Sequence, residues 1–115
     1  MDTQMRARAF ANFIGLELKG RITTRGYTAL AVAIRLGHSP AAFNRWLNGK
    51  TEIPLSVYYS VCEVIGVDTI DVADKAARRV IEEHGKAEIG SSLPAPLLRA
   101  ARRDVRRSED APSAE

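Results

Sequence analysis

Cysteine is almost missing from this 115-residue chain. Cys62 stands alone, so no internal disulfide can staple the fold and no zinc site built on thiolate pairs can form. Imidazole is nearly as scarce, limited to His38 and His84. Clustered carboxylates, a nucleophile with a placed base and a glycine-rich phosphate loop are missing too, so the chain is not expected to be an enzyme and no metal or cofactor is expected. No apolar run approaches the roughly 18 residues that a membrane span needs. The first residues carry Arg6 and Arg8 but no continuous apolar stretch ahead of a small-residue cleavage site, so they do not read as a secretory signal and a cytoplasmic location is expected. Alternation of β-branched and polar residues between turn signals is lacking as well, which leaves no sheet to expect.

What remains is the composition of a soluble globular protein, 45% hydrophobic and 27% charged, with room for one modest core. The net charge of +3 is unevenly spread. Residues 1–53 hold eight Lys or Arg against three acids, residues 54–90 four against seven, and residues 91–115 five against four. The basic excess of the first stretch suits a polyanionic partner.

Helical periodicity dominates. A first helix is expected over Thr3 to Thr24, with Met5, Phe10, Phe13, Ile14, Leu18 and Ile22 on one stripe; Gly15 and Gly20 leave open whether it is one helix or two. Arg25-Gly26-Tyr27 ends it, and Thr28 can cap a second helix, Ala29 to Leu36. In Leu36-Gly37-His38-Ser39-Pro40, glycine permits a tight turn, serine is a good N-cap and proline fits a first helical position, so a third helix, Pro40 to Asn48, must begin within three residues. Gly49 stops it. Pro54 opens a fourth helix with Leu55, Tyr58, Val61, Cys62 and Ile65 inward, and Gly66 closes it. Asp68 caps a fifth helix to about His84 with Ile70, Ala73, Ala77, Val80 and Ile81 inward. The fold expected is all-α: about five helices with a central helix-turn-helix (28–48) in a domain spanning 1–90. A linker and a short arginine-rich helix follow over 91–107, then a disordered tail over 108–115.

With Phe43 at the centre of the buried face, a step of about 100° per residue brings Trp46 and Leu47 inward and turns Ala41, Arg45 and Asn48 away, with Asn44 on the flank. Such a face suits a DNA major groove, where Asn can bond adenine twice, Arg can bond guanine twice and an alanine methyl can touch thymine. Ser39 and the free N–H groups beside it suit a phosphate.

This order of residues resembles the lambda-repressor-like, or Cro and xenobiotic-response-element, helix-turn-helix family over about Leu18 to Val67. Its pattern appears in Val32, Ala33, Leu36, Gly37, Phe43, Trp46 and Gly49, and its next helix in Ile53, Pro54, Leu55, Val61, Ile65, Gly66 and Val67. The resemblance implies a sequence-specific regulator of transcription, most simply a repressor such as a phage immunity regulator, on a double-stranded DNA operator. A homodimer on two half-sites is an expected partner arrangement, without membrane or small-molecule ligand. It implies base contacts from Ala41, Ala42, Asn44, Arg45 and Asn48, and backbone contacts from Thr28, Arg35, Ser39, Pro40, Lys50 and Thr51. Two glutamines that members often carry are replaced by Ala29 and Pro40. That departure keeps a second expectation alive, a helical interaction module without specific DNA reading.

Structural roles are expected for several conspicuous side chains. Trp46 belongs in the core, Cys62 is a small buried hydrophobe, Tyr58 and Tyr59 pack at the core edge, and His38 packs half-exposed in the turn. The stretch with Leu97, Leu98, Arg99, Ala101, Arg102, Arg103, Val105, Arg106 and Arg107 fits docking on the domain, pairing with a second subunit or added phosphate contacts.

Overall fold

A computed structural model describes residues 2–86, and among these the chain forms α1 (Thr3–Thr24), α2 (Ala29–Leu36), α3 (Pro40–Leu47), α4 (Leu55–Ile65) and α5 (Thr69–His84), with no strand. No helix among the described residues is long and apolar enough to cross a membrane. The expected domain end at residue 90, the arginine-rich helix over 91–107 and the tail over 108–115 lie outside the described residues.

Short polar side chains set four of the five helix starts by accepting an otherwise orphaned backbone N–H. Asp2 accepts from Met5 N at 2.8 Å, Thr28 from Ala31 N at 3.1 Å, Ser39 from Ala42 N at 3.2 Å and Asp68 from Ile70 N at 2.8 Å. Between α2 and α3, Gly37 sits at φ +78°, a left-handed conformation that glycine adopts without a side-chain clash. His38 N then donates back to Ala33 O at 2.9 Å, which closes α2 and turns the chain within three residues.

The core collects Leu18, Val32, Ala33, Phe43, Val61 and Val72, each with essentially no exposed surface. α1 is the hub, packing on every other helix. It runs unbroken through both glycines, and Gly15 has a packing reason to be there: a Cβ on it would lie 2.0 Å from the Trp46 carbonyl oxygen of α3. Gly20 has open space around its missing Cβ.

On its other side α1 lies antiparallel to α5. The Arg6 guanidinium donates to His84 O at 3.2 Å, Phe13 stacks with His84 while the Arg79 guanidinium sits 4.5 Å from its ring centroid, and Arg21 bonds Glu17 at 2.8 Å and Asp71 at 2.6 Å. This seam is narrow and corrects the expected phase of α5. Val72, Ala76 and Val80 are its buried residues, four apart along one line, and Ala73 is half-buried. Ile70 is 74% exposed, Ile81 44%, and Ala77 is exposed too. Two helices meeting along a single line bury only the side chains on that line, whatever their size. Met5, also expected inward, is 50% exposed. Tyr58 is buried with its hydroxyl donating to Thr69 O, whereas Tyr59, one step round α4, is exposed rather than at the core edge, and Leu55 in the first turn of α4 is 77% exposed rather than inward, Val57 being buried instead.

Two expected outcomes follow. Gly15→Ala should lose about 1–3 kcal/mol through overpacking, while Gly20→Ala should gain up to about 1 kcal/mol from helix propensity, both measured by chemical denaturation. The hydrogen bond from Arg21 holds the Asp71 carboxyl below the ordinary carboxylate range. Stability from that pair is therefore full above the ordinary range and is lost as pH falls through the depressed folded value. Asp71→Asn should lower stability near neutrality and flatten its decline in acid, read from denaturation midpoints across that pH range.

Candidate nucleic-acid interface

α3 has eight residues, too few for an isolated helix to persist in water, so its neighbours must hold it. Phe43 and Leu47 anchor it in the core at 0% and 2% exposure. Trp46 does not share that depth. It is half-buried, with its ring edge-on to His38 at 5.2 Å and to Phe43 at 6.2 Å, because its place at the margin of the buried face aims the indole toward the turn. His38 also stacks on Phe43 at 6.4 Å and so packs the turn against the helix.

The opposite face of α3 is open. Ala41, Asn44, Arg45 and Asn48 are exposed, with Asn48 as the C-cap just past the helix end; Ala42 is half-buried on the flank. Thr28, Arg35, Ser39, Pro40, Lys50 and Thr51 are all exposed as well. After α3 the chain folds back on itself, with Lys50 N and Thr51 N donating to Arg45 O at 2.9 and 3.4 Å. Lys50 and Thr51 are thereby fixed beside the helix end. Arg35, Arg45 and Lys50 form no ion pair among the described residues, whereas Arg21, Arg78 and Arg79 are each held by carboxylates.

One stripe of α1 borders this end of the site. Lys19 Nζ donates to Asn48 Oδ1 at 2.5 Å, a Cβ on Gly49 would meet Leu16 and Asn12 at 3.5 to 3.6 Å, and Arg8 lies 3.5 Å from Glu52. Lys19 and Arg8 were not expected at the site. Residues 8, 12, 15 and 19 share a helix face, and a glycine among them signals a close approach, but spacing alone does not say which helix approaches. Arg8 offsets the one acid in the loop after α3, so that loop presents Lys50 and Thr51 without a bare carboxylate beside them.

No family model, curated protein or solved structure matches the chain.

The exposed donors divide into two groups. Asn44 and Arg45 stand on the outward face of α3. Ser39 lies at its start, Lys50 and Lys19 at its end, and Thr28 at the start of α2. Ser39 and Thr28 each use an oxygen lone pair for capping, which leaves their O–H free to donate. Elsewhere, a shallow depression of about 250 Å³ is lined by Tyr59, Glu63, Val67, Asp68 and Thr69. No group of three or more metal-ligating side chains occurs among the described residues. Cys62 is buried, which pushes its thiol up to about 11 and keeps it protonated and inert at neutral pH.

The cap can be separated from the exposed hydroxyl. Ser39→Ala should cost about 1 kcal/mol of stability, while Ser39→Asp, an equally good cap, should retain it. Thermal denaturation of the two variants checks this.

Proposed function

We propose that this protein is a sequence-specific double-stranded DNA-binding regulator of transcription, most simply a repressor acting in the cytoplasm at an operator. The observation that carries the proposal is the outward face of α3. An eight-residue helix held by Phe43 and Leu47 turns Ala41, Asn44 and Arg45 to solvent, with Ser39 and Pro40 at its start and Lys50 and Thr51 just past its end; Thr28 and Arg35 are exposed on α2. A helix about 10–12 Å across fits a major groove about 12 Å wide, and its exposed side chains then lie against base edges. Arg45 supplies two parallel donors for guanine, Asn44 a donor and an acceptor for adenine, and Ala41 a methyl contact for thymine. Lys50, fixed beside the end of α3 and in no ion pair among the described residues, stands where sugar–phosphate backbone would run.

A second reading, a helical interaction module, is favoured by one observation. Leu30 and Ile34 on α2 are 55% and 65% exposed, and Leu55 and Tyr59 on α4 are 77% and 58% exposed. Apolar pairs four residues apart on a helix make a surface another protein can cover.

Selection of bound sequences from a random duplex pool at near-physiological salt separates the two. The expected result is an enriched motif; no enrichment overturns the DNA proposal and leaves the interaction module. On the enriched duplex, Arg45→Ala and Asn44→Ala should each cost about 1–3 kcal/mol of binding and relax base preference at one position. Ser39→Asp, which keeps the cap, should weaken binding by placing a carboxylate against phosphate.

A further inference from the structure

We propose that Lys19 and Asn48 form a clamp for one backbone phosphate, so that Asn48 does not read a base; this rests on the DNA-binding proposal above. Lys19 belongs to α1, outside the helix-turn-helix, and its ammonium donates to Asn48 Oδ1 at 2.5 Å. Both side chains are exposed. An asparagine reads adenine by accepting from N6 and donating to N7 at once. Here the ammonium takes one of the two lone pairs of the Asn48 oxygen and sets a positive charge beside it. The pair then presents two remaining hydrogens on the ammonium and two on the Asn48 amide, a donor-rich, cationic group that suits an anionic oxygen.

Such a group would also suit guanine, and position decides against it. α3 by itself fills the width of a major groove. α1 is packed directly beside α3, as close as the missing Cβ of Gly15 allows against the Trp46 carbonyl. A helix at that flank lies over the groove wall, and the wall is phosphate. Asn48 is the residue that ends α3, on the side where Lys19 reaches it, and Lys50 continues the same rim two residues on. A lysine ammonium is a compact point charge, suited to phosphate oxygens rather than to planar two-point recognition of a base.

The test uses the full chain and the duplex enriched by selection, together with single-base-pair variants of that duplex. Fluorescence anisotropy titrations over roughly 50 to 200 mM salt give affinity and its salt dependence. Lys19→Met is expected to weaken binding about tenfold, by a similar factor on every duplex, and to reduce the slope of log affinity against log salt by about 1. Lys19→Arg should restore the slope, and Asn48→Ala should weaken binding without changing base preference. Thermal midpoints matching the parent protein establish that the variants remain folded. A change of preference at one base pair in Asn48→Ala overturns the clamp, because Asn48 then reads a base. Unchanged affinity and slope in Lys19→Met overturn it as well. If the parent protein enriches no motif, the DNA proposal itself fails and the clamp falls with it, an outcome distinct from a parent motif that Lys19→Met leaves untouched.

Discussion

The close crossing of α1 over α3 at Gly15 is the constraint on which the rest of the molecule depends. A hydrogen in place of a side chain lets the backbone of α1 approach the Trp46 carbonyl. α3 is eight residues long and cannot persist on helix propensity alone. Its position is fixed by that crossing, by Phe43 and Leu47 in the core, and by the Ser39 cap at its start. Pushing α1 away would loosen the face that holds Asn44 and Arg45, although neither residue touches Gly15. Stability and the proposed recognition surface are thus linked through one backbone contact.

The same helix faces α5 on its other side, and the two contacts differ in kind. Toward α3 and the loop after it, it offers Gly15, Asn12, Leu16 and Lys19 at close range. Toward α5 it offers Phe13, Arg6 and Arg21, which make stacked, charged and hydrogen-bonded contacts along an antiparallel seam. α5 can therefore brace α1 along its length while the α3 side stays open, with Arg8, Asn12, Leu16 and Lys19 beside the loop that follows α3. Many of the carboxylates are engaged on this braced side: Asp71 with Arg21, Asp74 with Arg78 and Glu83 with Arg79. Among the described residues, Arg45 and Lys50 at the open face form no ion pair.

The helices themselves were legible in the sequence because their ends are local. Thr28, Ser39 and Asp68 bond N–H groups two or three residues ahead, and Gly37 turns the chain within its own neighbourhood, so no tertiary knowledge is needed to see them. The outward face of α3 was legible too, since large apolar residues mark its opposite side. Depth of burial was not. Ile70 and Ile81 look like core residues by size, yet the line of contact with α1 selects Val72, Ala76 and Val80. Trp46 and Tyr59 were misjudged in the same way, because periodicity gives direction around a helix but not how wide its partner is. Lys19 and Arg8 joined the site only when the α1–α3 crossing was known.

The inventory of donors limits what α3 can discriminate. Pro40 has no N–H and Ser39 caps that of Ala42, so the first turn leaves the Ala41 N–H as its spare donor. On the DNA-binding proposal, with Ala29 and Pro40 where polar contacts could have stood and Asn48 assigned to phosphate, Asn44 and Arg45 are the remaining side chains on that face able to make paired base contacts. Two such contacts at about 1–3 kcal/mol each give a preference of roughly 30- to 10⁴-fold. Specific DNA-binding proteins typically favour their sites by about 10³ to 10⁷. One copy of α3 thus reaches only the lower part of that range, whereas two copies on paired half-sites would square the ratio and span it. On the DNA-binding proposal, the poverty of this recognition face is itself the physical argument for a second copy on the operator.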